Sequence, residues 1–237
     1  MAVSLKRHGR PHFIALDREQ ALVTAQAGGA ISSSTDRSPD LRQSRAAMRQ
    51  QMREARNGIS QRTRIRAAKN LSKQANRLKC FHRSRVFACY LPSDGEIDTR
   101  PLILSAIVKG KRLVLPVVDR RVHGRMRFAE WVPGMPIMRS DFGIREPLRA
   151  DRRYVAPGTL DVILLPLVAF DPYGNRLGMG GGYYDRCFSF LSGRPKRRPV
   201  LVGVAYEKQK VGKLDTRPWD IPLSWVITEA SIYRCHA

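Results

Sequence analysis

Residues 176 to 186 read RLGMGGGYYDR, and their types suit the handling of a phosphate. Gly178, Gly180, Gly181 and Gly182 leave the backbone free to bring its amides close to a ligand. A strand that empties into such a loop, followed by a helix start, turns N–H groups and a positive helix end toward an anion. Arg176 adds a forked donor for phosphate oxygens, and Asp185 adds an oxygen ligand for Mg2+. A flexible turn between strand and helix has the same composition. The loop matches neither the Walker A pattern nor GxGxxG.

Other residues can serve the same chemistry. Arg45 and Arg49 lie one helical turn apart, so both guanidiniums can grip one anion. On residue type alone a solvated basic face is the simpler reading. In Ser93-Asp94-Gly95-Glu96-Ile97-Asp98-Thr99, Glu96 can hold a substrate amine or ring N–H, while Asp98 and Thr99 read as helix-entry residues. Trp131, before a Pro-Gly turn, can stack on a flat ligand, though packing is the commoner role of an indole. Asp220 lies in Pro218-Trp219-Asp220-Ile221-Pro222 and is either a second metal carboxylate or a turn residue. No Ser-His-Asp order, nucleophilic-cysteine signature or HExxH is present. Enzymatic chemistry would therefore rest on positioning rather than on a covalent nucleophile.

These residues need a scaffold. Met48, Met52, Ala55 and Ile59 form one apolar stripe of a helix starting near Leu41, and Arg42, Arg45, Arg49, Arg53 and Arg56 form another face. Asn57-Gly58 ends that helix, and Ser60 caps a second one carrying Ile65, Ala68, Leu71, Ala75 and Leu78. Apolar strands are expected over 86–91, 112–118, 162–170, 199–206 and 225–228, with a hairpin arm over 126–131. Helices are expected from Thr99 to Val108 and from Tyr184 to Leu191. Buried strands alternating with helices predict an α/β fold: one three-layer domain over 41–237, its mainly parallel sheet flanked by helices. Residues 1–40 lack a sustained period and read as a poorly ordered extension. Its Lys6, Arg7 and Arg10 suit an organelle-targeting segment, while Asp17 and Glu19 oppose one.

The chain carries 43 Lys and Arg against 20 Asp and Glu, a formal charge of +23. Residues 1–40 hold five of the basic and four of the acidic side chains, so the excess belongs to the globular part. Such a field attracts nucleic acid, nucleotides or polyglutamylated small molecules alike. No apolar run reaches membrane-spanning length. Cys80, Cys89, Cys187 and Cys235 form no CxxC pair and no zinc spacing with the five histidines, which suits a reducing, cytoplasmic setting.

Taken in order, these blocks resemble the 5-formyltetrahydrofolate cyclo-ligases, also called methenyltetrahydrofolate synthetases. The likeness runs from about Arg45 to Ile227. It comprises Arg45 to Ser60, LPSDGEIDTRPLI (91–103), KRLVLPVV (111–118), FGIREP (142–147), the segment from Pro166 to Arg186, and Trp219 to Pro222. The resemblance implies an ATP- and Mg2+-dependent conversion of 5-formyltetrahydrofolate to 5,10-methenyltetrahydrofolate by a monomer. It assigns ATP to Arg45, Arg49, Arg176 and the stretch Gly178, Gly180, Gly181, Gly182, Tyr183 and Tyr184. It assigns folate to Leu91, Glu96, Trp131, Met179 and Tyr183, and Mg2+ to Asp185 and Asp220. Many members carry lysine where this chain has Arg45 and Gly181, so Arg186 or Arg49 is expected to supply the charge missing at Gly181. An alternative is a relative of the same fold that binds RNA or acts as a folate- or nucleotide-binding regulator.

Overall fold

Apolar runs with no alternation are strands buried on both faces, and here they fill the middle of one sheet. The computed structural model describes residues 39–119, 122, 124–140, 143–148, 152–192 and 198–235. The expected extension lies outside the described residues except for Pro39 and Asp40, and so does Phe142.

The chain opens with helices α1 (Pro39–Asn57), α2 (Gln61–Arg77) and α3 (Lys79–Arg83). Strand β1 (Val86–Ala88), helix α4 (Arg100–Val108), and strands β2 (Arg112–Val118) and β3 (Met126–Trp131) follow. Next come a small ribbon, β4 (Ile137–Arg139) and β5 (Arg145–Pro147), then β6 (Tyr154–Val155) and β7 (Val162–Pro166). A hairpin of β8 (Ala169–Phe170) and β9 (Arg176–Leu177) leads to α5 (Tyr183–Cys187). The chain closes with β10 (Val200–Val204), β11 (Trp225–Ile227) and β12 (Ile232–Arg234).

The main sheet has eight strands in the order β12-β11-β10-β7-β1-β2-β3-β6. From β11 through β2 every pairing is parallel. Antiparallel strands close both edges, so the sheet is mainly parallel as expected. Successive residues alternate between two cores. Phe87, Leu113, Leu115, Val162, Leu164, Val202 and Ile227 pack with α2, α3 and α4 on one face. Ala88, Val114, Ile163, Leu165, Leu201 and Val226 meet Phe188 and Leu191 on the other.

The helical layer on that second face is shorter than the sequence predicts. The helix expected to reach Leu191 ends at Cys187 and gives way to a 3-10 turn at Ser189–Leu191. The strand expected over 162–170 is also broken. β7 stops at Pro166, and the chain leaves the sheet to form the β8–β9 hairpin. The turn of that hairpin is held by Asp171, which is fully buried. Its carboxylate accepts from the backbone of Tyr173, Asn175 and Leu214 and from the Asn175 side chain, at 2.8–3.0 Å.

Neighbouring β1 and β7 send their chains in opposite directions. β1 continues through α4 on one face to β2, whereas β7 continues through α5 on the other face to β10. Such a switch point leaves a crevice outside the carboxyl ends of the two strands, where ligands of open α/β sheets bind. The loop bearing Glu96 follows β1, and the glycine loop follows β7 with its hairpin.

Gly203 keeps β10 in place. A Cβ there would lie 2.7 Å from Leu223 Cδ1 and 2.8 Å from Leu167 Cδ2 in the core. Gly203→Val should therefore overpack the second face and lower stability by about 1–3 kcal/mol, read as a shift of the urea midpoint with an unchanged slope.

Candidate active site

Positive φ values at two glycines shape the loop after β9. Gly180 has φ 103° and Gly182, the N-cap of α5, has φ 61°, both in the left-handed region that L side chains rarely adopt. Two guanidiniums lie against this loop. Arg49 Nε donates to the Gly178 carbonyl at 2.8 Å, and a Cβ on Gly180 would sit 3.8 Å from the Arg49 guanidinium carbon. From the other side Arg186 donates to the carbonyls of Gly124 (3.0 Å) and Gly181 and stacks over the Tyr183 ring. The Gly181 position, where a charge was missing, is thus closed off by Tyr183: a Cβ there would lie 2.7 Å from that ring. Arg49 and Arg186 thus both bond to carbonyls of the loop.

Helix α1 supplies Arg49 and reaches further. Arg45 donates to the Asp215 carbonyl at 3.0 Å and lies 3.6 Å from the Asp220 carboxylate. Burial, then the charges of Arg45 and Arg217, hold the Arg49 guanidinium below its ordinary value. Three arginines therefore crowd one place, and an anion there would relieve their repulsion. Arg217 also stacks on Trp219, whose indole is mostly exposed.

The two candidate metal carboxylates meet at Ile221. Asp185 accepts from the Ile221 N–H at 3.1 Å, and Asp220 precedes that residue and accepts from the Arg217 N–H at 3.0 Å. Arg176 is largely buried and is engaged within this cluster, donating to Asp185 and to the Ile221 carbonyl. Among the described residues no group of three or more His, Cys, Asp or Glu is placed to hold a metal. Two part-exposed carboxylates beside a glycine loop and its arginines are a donor set that would suit Mg2+, which keeps waters and takes phosphate oxygens.

Across the crevice, Ser93-Asp94-Gly95-Glu96 forms a tight turn. Glu96 N–H donates to the Ser93 carbonyl at 2.9 Å, and Asp94 (φ 45°) and Gly95 (φ 72°) are both left-handed, as in a type I′ turn. Helix α1 clamps it. Arg56, only 1% exposed, donates to the Asp94 carbonyl at 2.7 Å and to its carboxylate at 2.6 Å. Arg53 makes a forked pair to the same carboxylate at 2.8 and 3.2 Å. Glu96 Oε2 accepts from Ser93 N–H at 3.0 Å. Burial pushes the Glu96 carboxyl up to about 7, although the Ser93 amide and Arg56 pull the other way. The Tyr184 phenol is raised by burial and then by Glu96, which puts the helix after the glycine loop within electrostatic reach of the first loop. At the start of α4 the Asp98 carboxylate accepts from Arg100 N–H at 2.9 Å; Thr99, the N-cap, is buried and its hydroxyl donates to the Tyr90 carbonyl at 2.7 Å.

Two grooves adjoin this loop. One, of about 410 Å³, is walled by Arg64, Ser93, Glu96, Asp98, Arg145 and Tyr206 among others. The second, about 380 Å³ and mostly apolar, is lined by Leu91, Ile103, Leu104, Trp131 and Ile137. Arg100 and Arg145 border both. Leu91, Glu96 and Trp131 therefore share adjoining grooves, and Trp131 both packs on the core and donates to the Met135 carbonyl at 3.1 Å. Met179, on the glycine loop, is exposed and lines neither groove.

The sequence model of the 5-formyltetrahydrofolate cyclo-ligase family matches residues 41–229. The chain belongs to that family. It is 35% identical over 181 residues to the 5-formyltetrahydrofolate cyclo-ligase of Haemophilus influenzae, covering 76% of this chain and 95% of that protein. With the Escherichia coli K12 cyclo-ligase it shares 43% identity over 147 residues, 62% of this chain and 79% of that protein. The NMR structure of Aquifex aeolicus 5,10-methenyltetrahydrofolate synthetase superposes with a TM-score of 0.68 at 31% identity, covering 81% of this chain and 93% of that one.

For a member of this ligase family, the clamp on the Glu96 turn is the part that sequence reading missed. Arg53 and Arg56 continue the spacing of Arg45 and Arg49, so one helical face was legible while its second target was not. Arg217 gave no signal. The four cysteines are free, and burial raises all four thiols, Cys89 to about 12, so none is a ready nucleophile.

Arg56→Ala should lower stability by roughly 3 kcal/mol, because it leaves the turn without its buried partner; urea unfolding at neutral pH reads this directly. Glu96 gives a pH-dependent effect. Its proton is bound more tightly in the folded chain than in the unfolded chain, where the ordinary value is 4.5. Its stabilising contribution is therefore complete below that value and is lost as pH rises through about 7. Between pH 5 and pH 8 the wild type should lose stability relative to Glu96→Gln, and equal midpoint shifts in the two proteins would contradict this.

Proposed function

We propose that this chain joins N10 of 5-formyltetrahydrofolate to the formyl carbon, giving 5,10-methenyltetrahydrofolate while converting ATP to ADP and phosphate. The observation that carries this reading is the pairing of two sites across one crevice. A glycine loop with Arg45, Arg49 and two aspartates around it follows β7 and its hairpin, and a loop that presents Glu96 beside adjoining grooves follows the neighbouring β1.

The chemistry needs both halves. An N5-formyl group is an amide, with a poor electrophile at carbon and a poor leaving group at oxygen. Transfer of the γ-phosphoryl group to that oxygen breaks its bond to ADP and remedies both defects. N10 then attacks the same carbon and loses its proton, and the C–O bond breaks as phosphate departs. The protein's part is alignment and charge neutralisation. Arg45, Arg49 and the amides of Gly178, Gly180, Gly181, Gly182, Tyr183 and Tyr184 hold the ATP phosphates. Arg176 orients Asp185. Leu91, Trp131, Glu96, Met179 and Tyr183 hold the folate. Asp185 and Asp220 would hold Mg2+, which would supply neutralisation of the phosphate charge. The arginines that border the grooves also suit a glutamate tail, single or extended. Four free cysteines fit a reducing, cytoplasmic setting, and nothing in the reaction requires more than one copy of the chain.

Purified protein incubated with ATP, Mg2+ and 5-formyltetrahydrofolate should generate the absorbance of the methenyl product. Asp185→Asn should keep the fold and lose roughly 100-fold or more in turnover. A near-normal rate would refute its metal role; no product from the wild type, with salt-sensitive RNA affinity instead, would overturn the whole reading.

A further inference from the structure

The groove beside Glu96 contains a polar group that no described residue matches. Tyr206 follows β10 at the carboxyl edge of the sheet, its ring belongs to the core cluster, and the residue is 1% exposed. Its hydroxyl is the one buried side-chain polar atom without a hydrogen-bond partner among the described residues. The position is not loose. Tyr206 N–H donates to Gln209 Oε1 at 2.8 Å, and Gln209 N–H returns to the Tyr206 carbonyl at 2.9 Å. The buried Gln209 amide then donates to the carbonyls of Leu167 and Val168, both at 2.9 Å, which begin the segment after β7. The backbone at Tyr206 is thus tied to the neighbouring strand's exit while the end of its side chain is idle.

Nearby polar groups are engaged elsewhere. Arg64 donates to the carbonyls of Arg56, Asn57, Ile59 and Gly95. Asp98 holds Arg100. A sealed hydroxyl without a partner is rare in folded proteins and usually marks a strained, functional or water-filled place. Tyr206 lines the same groove as Glu96, so that wall offers a phenolic donor. A ligand carbonyl in the groove is the acceptor that such a donor requires.

We propose that Tyr206 is a substrate-binding residue whose hydroxyl donates to the ring carbonyl of the folate heterocycle. The assignment rests on the folate reading of this groove. Burial keeps the phenol above its ordinary value, so the donor stays protonated through the working pH range. The role is in binding, not in the transfer steps.

Tyr206→Phe tests this, because it deletes only the hydroxyl. The dissociation constant for 5-formyltetrahydrofolate, measured by calorimetry without ATP, should rise about 3- to 10-fold, the range of one neutral hydrogen bond. KM should rise with it while kcat holds, and the melting midpoint should stay level or increase, since an unmatched buried hydroxyl has been removed. An analogue with hydrogen in place of the ring carbonyl oxygen should bind both proteins equally. Unchanged affinity in a wild type that turns over would overturn the Tyr206 assignment alone. A lowered melting midpoint would also overturn it, by showing a structural bond. A wild type that neither binds the folate nor turns it over would remove both this assignment and the function it rests on.

Discussion

A guanidinium sealed beneath a left-handed turn is the constraint on which the rest of this site depends. Arg56 bonds to the carbonyl and the carboxylate of Asp94, fixing two consecutive residues at positive φ and with them the direction of Glu96. A turn of that type has few intrinsic preferences outside Asn, Asp and Gly. Sequence supplies Asp94-Gly95, and the end of helix α1 locks it: a Cβ on Gly95 would fall 2.0 Å from Asn57 Oδ1. The charged network is part-exposed at Asp94 and closed at Arg56, so the pair is held by geometry and forked hydrogen bonds more than by bare Coulomb attraction.

The sheet gives that turn its neighbour. Parallel strands place all their carboxyl ends on one edge, and the divergence of the chain after β1 and β7 opens the edge between them. The first loop needs a short, tight geometry because α4 begins at Arg100. The second can be longer because the β8–β9 hairpin, anchored on the buried Asp171, carries the glycines away from the sheet before α5 begins. One loop presents a carboxylate, the other backbone amides and cations.

Much of this was legible because burial leaves a simple mark. Unbroken apolar runs located β2, β7 and β10, and Ser60, Asn57-Gly58 and Pro101 located helix ends, since caps and breakers act locally. The glycine loop and Glu96 were legible as motifs. What was not legible depends on distant partners. The strand expected to run through Phe170 stops at Pro166 because hairpin pairing of Ala169 with Leu177 competes with the main sheet. The short pieces β4, β5, β6 and β12 have too few residues to show a period. The arginine face of α1 reads as solvated until Asp94, Asp220 and Gly178 come against it from 38 to 175 residues away. Arg217 has no local signature, since its effect is the charge it adds to Arg49.

Helix α1 touches both sides of the crevice, with Arg45 and Arg49 at the glycine loop and Arg53 and Arg56 at the Glu96 turn. At 1.5 Å per residue, those contacts extend over about 16 Å of a single rod. A shift of that rod alters both ligand halves together, so whatever settles it on one side changes affinity on the other. Linkage makes such coupling reciprocal: the factor by which a nucleotide tightens folate binding equals the factor by which folate tightens the nucleotide. A helix outside the sheet would then set the order and synergy with which the two ligands assemble.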